Sequence, residues 1–105
     1  MVRATWNGTV LAEADSTVVI EGNHYFPPDS VDFERLRLTH ARSLCFWKGV
    51  ARYYDVVVDG QVNRRAAWTY ARPSPLARRI RDHVAFWNGV RVEPVDPSRH
   101  ANPTR

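Results

Sequence analysis

One cysteine, one lysine and one methionine among 105 residues set the first limits. A lone Cys45 cannot close an internal disulfide, so nothing in the chain asks for an oxidising compartment. It also excludes a multi-cysteine zinc site. No apolar run is long enough for a transmembrane helix. The start, MVRATWNG, lacks the apolar stretch of a secretory signal. A cytoplasmic protein that does not enter membranes is therefore expected. Fourteen of the fifteen basic side chains are arginine, which leaves Lys48 as the single amine-bearing side chain. The length suits one domain with one modest core.

Charge is uneven. Residues 1–34 hold six carboxylates (Glu13, Asp15, Glu21, Asp29, Asp32, Glu34) against Arg3. Residues 61–85 hold six arginines (Arg64, Arg65, Arg72, Arg78, Arg79, Arg81) against Asp82. An Arg-rich face could meet a protein or an anionic polymer. Solvated side chains in an arginine-rich, lysine-poor chain are the favoured reading, since no nucleic-acid motif accompanies the charge.

Asn7-Gly8, Asp59-Gly60 and Asn88-Gly89 are two-residue turn signals flanked by β-branched and aromatic residues. Asn-Gly and Asp-Gly accept the positive φ angles of the type I′ turn, whose twist suits a β-hairpin. All three are expected to join antiparallel strands. Val18, Val19 and Ile20 add a strand before a turn at Gly22-Asn23. Helix is scarce. Ser74-Pro75 reads as cap and first residue of one short helix near 75–82, with Leu76, Ile80 and Val84 on its apolar face. Pro27–Ser30 followed by VDFERL suggests one helical turn capped by Ser30. AAWTYARPSP lacks clean alternation and reads as a loop or edge segment. The domain is placed at 1–93, and the proline-rich 94–105 reads as a tail.

Trp-x-Gly occurs at Trp6, Trp47 and Trp87, with Asn between the two residues in the outer cases and Lys48 in the middle one. Lysine is a poor choice for a tight turn, so the turn alone does not explain it. An arginine would keep the charge but lose compactness, titratability and nucleophilicity. Lys48 is thus a candidate for amine chemistry or for a small contact to an anion or carbonyl. At an exposed loop tip, Lys48→Arg would leave folding stability unchanged.

Cys45 is a candidate nucleophile if a cation lowers its pKa, or else a small apolar filler. In EGNHYFPP, a turn brings Glu21, His24 and Tyr25 close together, and carboxylate, imidazole and phenol are proton-transfer groups. Glu21, His24 and Cys45 could hold one metal ion, but their spacing matches no signature, and no cofactor motif is present. Trp47, Tyr53, Tyr54, Trp68 and Tyr70 fall within twenty-four residues. Most such rings are core. Tyr53 and Tyr54 face opposite sides of any strand that holds both.

These stretches together resemble a bacterial family known as domain of unknown function 427, also labelled nucleotidyltransferase-like. The resemblance covers about residues 2–93. It rests on Trp6-Asn7-Gly8 with Leu11-Ala12, then VVIEGNHYFPPDSV, CFWKGVARYYDV, AAWTYARPSP and VAFWNGVRVE. The family pattern is Cys-Pro-aromatic-Lys-Gly followed by Ala-x-Tyr-Tyr. Cys45, Trp47, Lys48, Gly49, Ala51, Tyr53 and Tyr54 match it, while Phe46 replaces the proline. The resemblance implies a compact β-tent-like domain of two small antiparallel sheets. Related tent-like domains hold zinc through four cysteines, which this chain lacks, and some bind a small ring in an aromatic cage. The nucleotidyltransferase label finds no paired carboxylates beside a Gly-Ser turn and no phosphate-cradling loop here.

The reading is a mainly β domain of antiparallel sheets with one short helix, binding an unidentified small molecule, anionic or ring-shaped, in an aromatic-lined pocket. Lys48 and Glu21 are its charged groups, and Trp47, Tyr25, Tyr54, Trp68 and Tyr70 line it. Glu21, His24 or Cys45 would move protons if the protein is an enzyme, which the residues leave open. The alternative is a non-catalytic interaction module that uses the Arg-rich face. Either suits a monomer or a homodimer.

Overall fold

Left-handed backbone at paired turn residues organises the chain. Asn7 and Gly8 (φ 50° and 75°) and Asp59 and Gly60 (φ 50° and 79°) close hairpins, as their sequences require. The computed structural model describes residues 1–95. Nine strands follow in order: β1 (Val2–Trp6), β2 (Thr9–Ala14), β3 (Val18–Ile20), β4 (Asn23–Tyr25), β5 (Leu36–Cys45), β6 (Gly49–Val58), β7 (Gln61–Thr69), β8 (Val84–Phe86) and β9 (Arg91–Pro94). They form three sheets, ordered β2-β1-β9, β3-β4 and β5-β6-β7-β8. Every strand pairing within these sheets is antiparallel. The mainly β class holds, with three sheets in place of the two that the resemblance implied. Among the described residues, no helix is long and apolar enough to cross a membrane.

The third turn departs from expectation. Asn88 and Gly89 take the turn angles (φ 53° and 90°), and Val90 N–H reaches the Trp87 carbonyl at 3.2 Å. The turn nevertheless leads from β8 in the four-stranded sheet to β9, which pairs with β1. It joins two sheets and closes no hairpin. Asn-Gly dictates local geometry, whereas the partner of β9 lies some ninety residues away in sequence. β9 reaches Pro94, and Val95 N–H donates to the Met1 carbonyl at 2.8 Å. The 1–93 limit therefore falls inside a strand. From residue 96 on, the expected tail lies outside the described residues.

Helix is confined to 3-10 segments. Pro75–Ile80 is one, with non-helical angles at Ala77. Its three-residue period puts Ala77 and Ile80 on the buried side and leaves Leu76 exposed, unlike the α-helical face expected. Ser74 does not cap it with its side chain. Pro28–Ser30 and Phe33–Arg35 are two further turns, and Asp32, not Ser30, caps the second by accepting from Glu34 N–H at 3.2 Å.

The segment expected as a loop, AAWT, is the buried end of β7, an inner strand of its sheet. Ala66 to Thr69 are all buried, so the sequence shows no polar alternation. Alternation along β7 and β8 sends Ala67, Val84 and Phe86 to a core cluster with Leu11, Phe26 and Val56. It sends Trp68 and Ala85 to a second cluster with Tyr25, Tyr70 and Ile80. That second cluster is the floor of the site.

Candidate functional site

The β3–β4 turn falls at Glu21-Gly22, one residue earlier than expected, and Asn23 belongs to β4. Glu21 takes φ 56°, a conformation that costs a side-chain-bearing residue other than Asn or Asp about 1 kcal/mol. Its carboxylate accepts a hydrogen bond from Lys48 Nζ–H and, at 3.4 Å, one from Trp47 Nε1–H. Glu21 is half exposed, with 52% of its side chain accessible. The Lys48 side chain is 8% accessible.

Lys48 sits in the loop between β5 and β6, and this loop is clamped from behind. Ser74 N–H donates to the Lys48 carbonyl at 2.9 Å, and Ser74 Oγ–H donates to the Trp47 carbonyl. Gly49 has φ 113°, and a Cβ there would lie 3.2 Å from the Arg72 carbonyl oxygen. Close approach of the 72–74 segment thus requires glycine. The ammonium lies 5.6 Å from both the Trp47 and the Tyr70 ring centroids. Such placement over π-faces favours the charged amine. Burial alone would pull the Lys48 pKa down. The hydrogen bond that Lys48 donates to Glu21 and the charges of the neighbouring groups outweigh it, so the pKa is raised. The same hydrogen bond to Lys48 holds the Glu21 carboxyl below its ordinary value. Burial raises the Tyr70 phenol, against the opposing pull of Lys48. The pair is ionised across the neutral range, and the amine is a hydrogen-bond donor, not a free nucleophile.

Aromatic rings complete the surroundings. Tyr25 is fully buried, its hydroxyl accepts from Trp68 Nε1–H at 3.2 Å, and the two rings meet edge to face at 6.1 Å. Tyr70 lies 6.4 Å from Tyr25, and Trp87 meets Trp68 edge to face at 5.5 Å. Between them opens a cleft of about 200 Å³, lined by Asn23, Lys48, Tyr53, Trp68, Tyr70 and Trp87.

The family described as domain of unknown function (DUF427) matches residues 1–97. The chain belongs to the DUF427 family. No curated protein matches it.

In this DUF427 domain the structure brings together Lys48, Glu21, Trp47, Tyr25, Trp68 and Tyr70. It separates others. His24 follows Asn23 on β4 and points away from Tyr25, where its Nδ1 lies 2.6 Å from Thr17 Oγ1. Tyr54 is on the other face of β6, packed against Phe33 at 6.2 Å, and burial raises its pKa. The wall comes instead from its neighbour Tyr53. Cys45 is a half-buried free thiol packed against the second core cluster, and no hydrogen bond among the described residues joins it to Lys48 or Glu21. Glu21, His24 and Cys45 form no metal-holding group. Lys48 is not the exposed loop tip expected, so arginine would not be neutral there. Sequence reasoning missed Asn23, Tyr53 and Trp87. The Tyr53-Tyr54 pair signalled that one ring leaves the core, but not which one. The Phe86-Trp87-Asn88-Gly89 turn was visible, but not the face its indole covers.

Proposed function

We propose that this DUF427 domain binds a small, neutral, hydrogen-bonding ring in the cleft beside Lys48. The observation that carries this reading is the ion pair of buried Lys48 with half-exposed Glu21 at the mouth of an aromatic cleft. The pair sums to no net charge. An anionic ligand reaching Lys48 would be repelled by the Glu21 carboxylate beside it, whereas a neutral ring carbonyl can take the remaining Lys48 N–H groups without that charge repulsion. Lys48 makes one hydrogen bond among the described residues, to Glu21, and an ammonium has three N–H groups. Two remain for a carbonyl oxygen. Asn23 adds an amide that both donates and accepts. Trp68, Trp87, Tyr53 and Tyr70 offer π-surface to a flat ring. The volume of about 200 Å³ suits a single ring, since a cavity of about 150 Å³ holds benzene. A cyclic amide or imide combines these features.

Tryptophan fluorescence titration tests the reading with three probes: uracil and hydantoin as cyclic imides, and benzoate as a ring of similar size bearing a charge. Saturable quenching by either imide, weakened in Lys48→Met and stronger than that by benzoate, is the expected result. Equal responses from wild type and Lys48→Met, or a preference for benzoate, would overturn it.

A further inference from the structure

The face of the four-stranded sheet opposite the cleft carries three arginines without acid partners. Strand alternation directs Arg52 away from Tyr53, to the side that holds Tyr54. In the β5–β6 register, Arg42 stands directly across from Arg52. Like charges at opposed positions repel and weaken a sheet. Arg52 pairs on its other side with Thr69, which offers no charge. Arg72, just beyond β7, joins Arg42 and Arg52 around a cleft of about 420 Å³ with Val50 and Ala71. This cleft is twice the volume of the aromatic one.

The polar groups here are incompletely satisfied. Arg52 Nε is buried and has no hydrogen-bond partner, the one such side-chain atom among the described residues. Arg42 reaches only backbone carbonyls, those of Ala41 at 3.2 Å and Thr39 at 3.5 Å. The ion pairs among the described residues involve Arg3, Arg35, Arg37, Lys48 and Arg81, and none of these three arginines. Asp82 is an acid close to Arg52. It lines the adjacent depression with Arg52 and Tyr54, and its ion-pair contact is to Arg81 at 4.0 Å. A buried donor without an acceptor costs stability, and so does an unneutralised pair of guanidiniums. A doubly charged oxyanion in the cleft would neutralise the opposed guanidiniums, and its oxygens accept from guanidinium forks in a bidentate manner.

We propose that Arg42, Arg52 and Arg72 form a binding site for a phosphate group. The apolar edge at Val50 and Ala71, and a volume larger than one phosphate needs, leave room for a small organic part. The site lies on the opposite face of the sheet from the Lys48 cleft and stands independently of it.

Thermal unfolding with inorganic phosphate tests this, with ionic strength held constant by sodium chloride and with glycerol 3-phosphate as a second probe. The wild type is expected to show a saturable rise in Tm with phosphate. Arg52→Gln and Arg42→Gln should each weaken the apparent affinity about tenfold, the worth of one charge-assisted hydrogen bond. Without phosphate, Arg42→Gln should unfold at or above the wild-type temperature, because the opposed charges are relieved. This exposed position keeps the test valid if Arg52→Gln folds poorly. Arg79→Gln and Lys48→Met should retain the full phosphate response. Tighter binding of glycerol 3-phosphate would assign a phosphomonoester, and tighter binding of inorganic phosphate the free ion. No rise beyond that in chloride, or an undiminished response in Arg42→Gln, would refute the site.

Discussion

Replacing Glu21 by Asn together with Lys48 by Met should make the protein more stable. Glu21 occupies a left-handed turn position that Asn fills with less strain, and Asn-Gly is the preferred type I′ pair. That change is worth about 1 kcal/mol. Removing a buried ion pair in favour of an apolar side chain of similar length is neutral or stabilising, by up to about 4 kcal/mol when both charges are deeply buried. Glu21 is half exposed, so the low end applies. A net gain of about 1–2 kcal/mol follows, or roughly 5–15 °C in Tm for a domain of this size. The single variants should differ in sign from the double. Glu21→Asn leaves a buried ammonium without its carboxylate and should lose about 1–2 kcal/mol. Lys48→Met leaves only an exposed carboxylate on a strained turn and should be near neutral.

The cycle has a pH signature. The folded-state pKa of Glu21 is depressed, so its stabilising contribution is present above the ordinary carboxyl value of about 4.3 and is lost as pH falls below it. The raised pKa of Lys48 contributes fully below about 10.4 and is lost as pH climbs through the folded value. The advantage of the double variant should therefore widen at both extremes. Chemical denaturation followed by circular dichroism, at neutral pH and near pH 4, measures all four corners. A double variant less stable than the wild type by more than 1 kcal/mol would refute the reasoning, because the pair would then be a structural fastener.

Three other outcomes are expected. Lys48→Arg should lower stability by about 1–3 kcal/mol through overpacking of the buried loop, measurable by urea denaturation. Gly49→Ala should cost at least as much, since its Cβ would crowd the Arg72 carbonyl at a left-handed φ, and proteolysis should then cut more readily near 72–74. Acetic anhydride at pH 8 should label the N-terminal amine of the native protein well before Lys48. Glu21→Gln, which uncaps the amine and removes what raises its pKa, should speed Lys48 labelling about tenfold by mass spectrometry.

The legible parts of the fold were those set by neighbours in sequence. Asn7-Gly8 and Asp59-Gly60 declared their hairpins because few other pairs accept two positive φ angles. The link between Lys48 and the Glu21–Tyr25 segment was legible through scarcity: one lysine in an arginine-rich chain, and one compact polar cluster to receive it. What stayed hidden depended on contacts distant in sequence. The AAWT end of β7 did not read as a strand because burial on both faces erases alternation. The choice of Tyr53 over Tyr54 depends on irregular register between Leu38 and Arg42 and between Tyr54 and Val56, which periodicity cannot resolve. Arg52 passed as one arginine among many, because only the register sets Arg42 against it.

The most direct test of the aromatic cleft is a heteronuclear NMR titration of the four indole N–H resonances with uracil. Trp47, Trp68 and Trp87 surround the cleft and its lysine, while Trp6 packs against the other core cluster. The account predicts saturable shifts of the Trp68 and Trp87 indoles, a smaller shift of Trp47 and none of Trp6, all weakened in Lys48→Met. Shifts of equal size at Trp6, or a cleft silent up to the solubility limit of uracil and hydantoin alike, would contradict it.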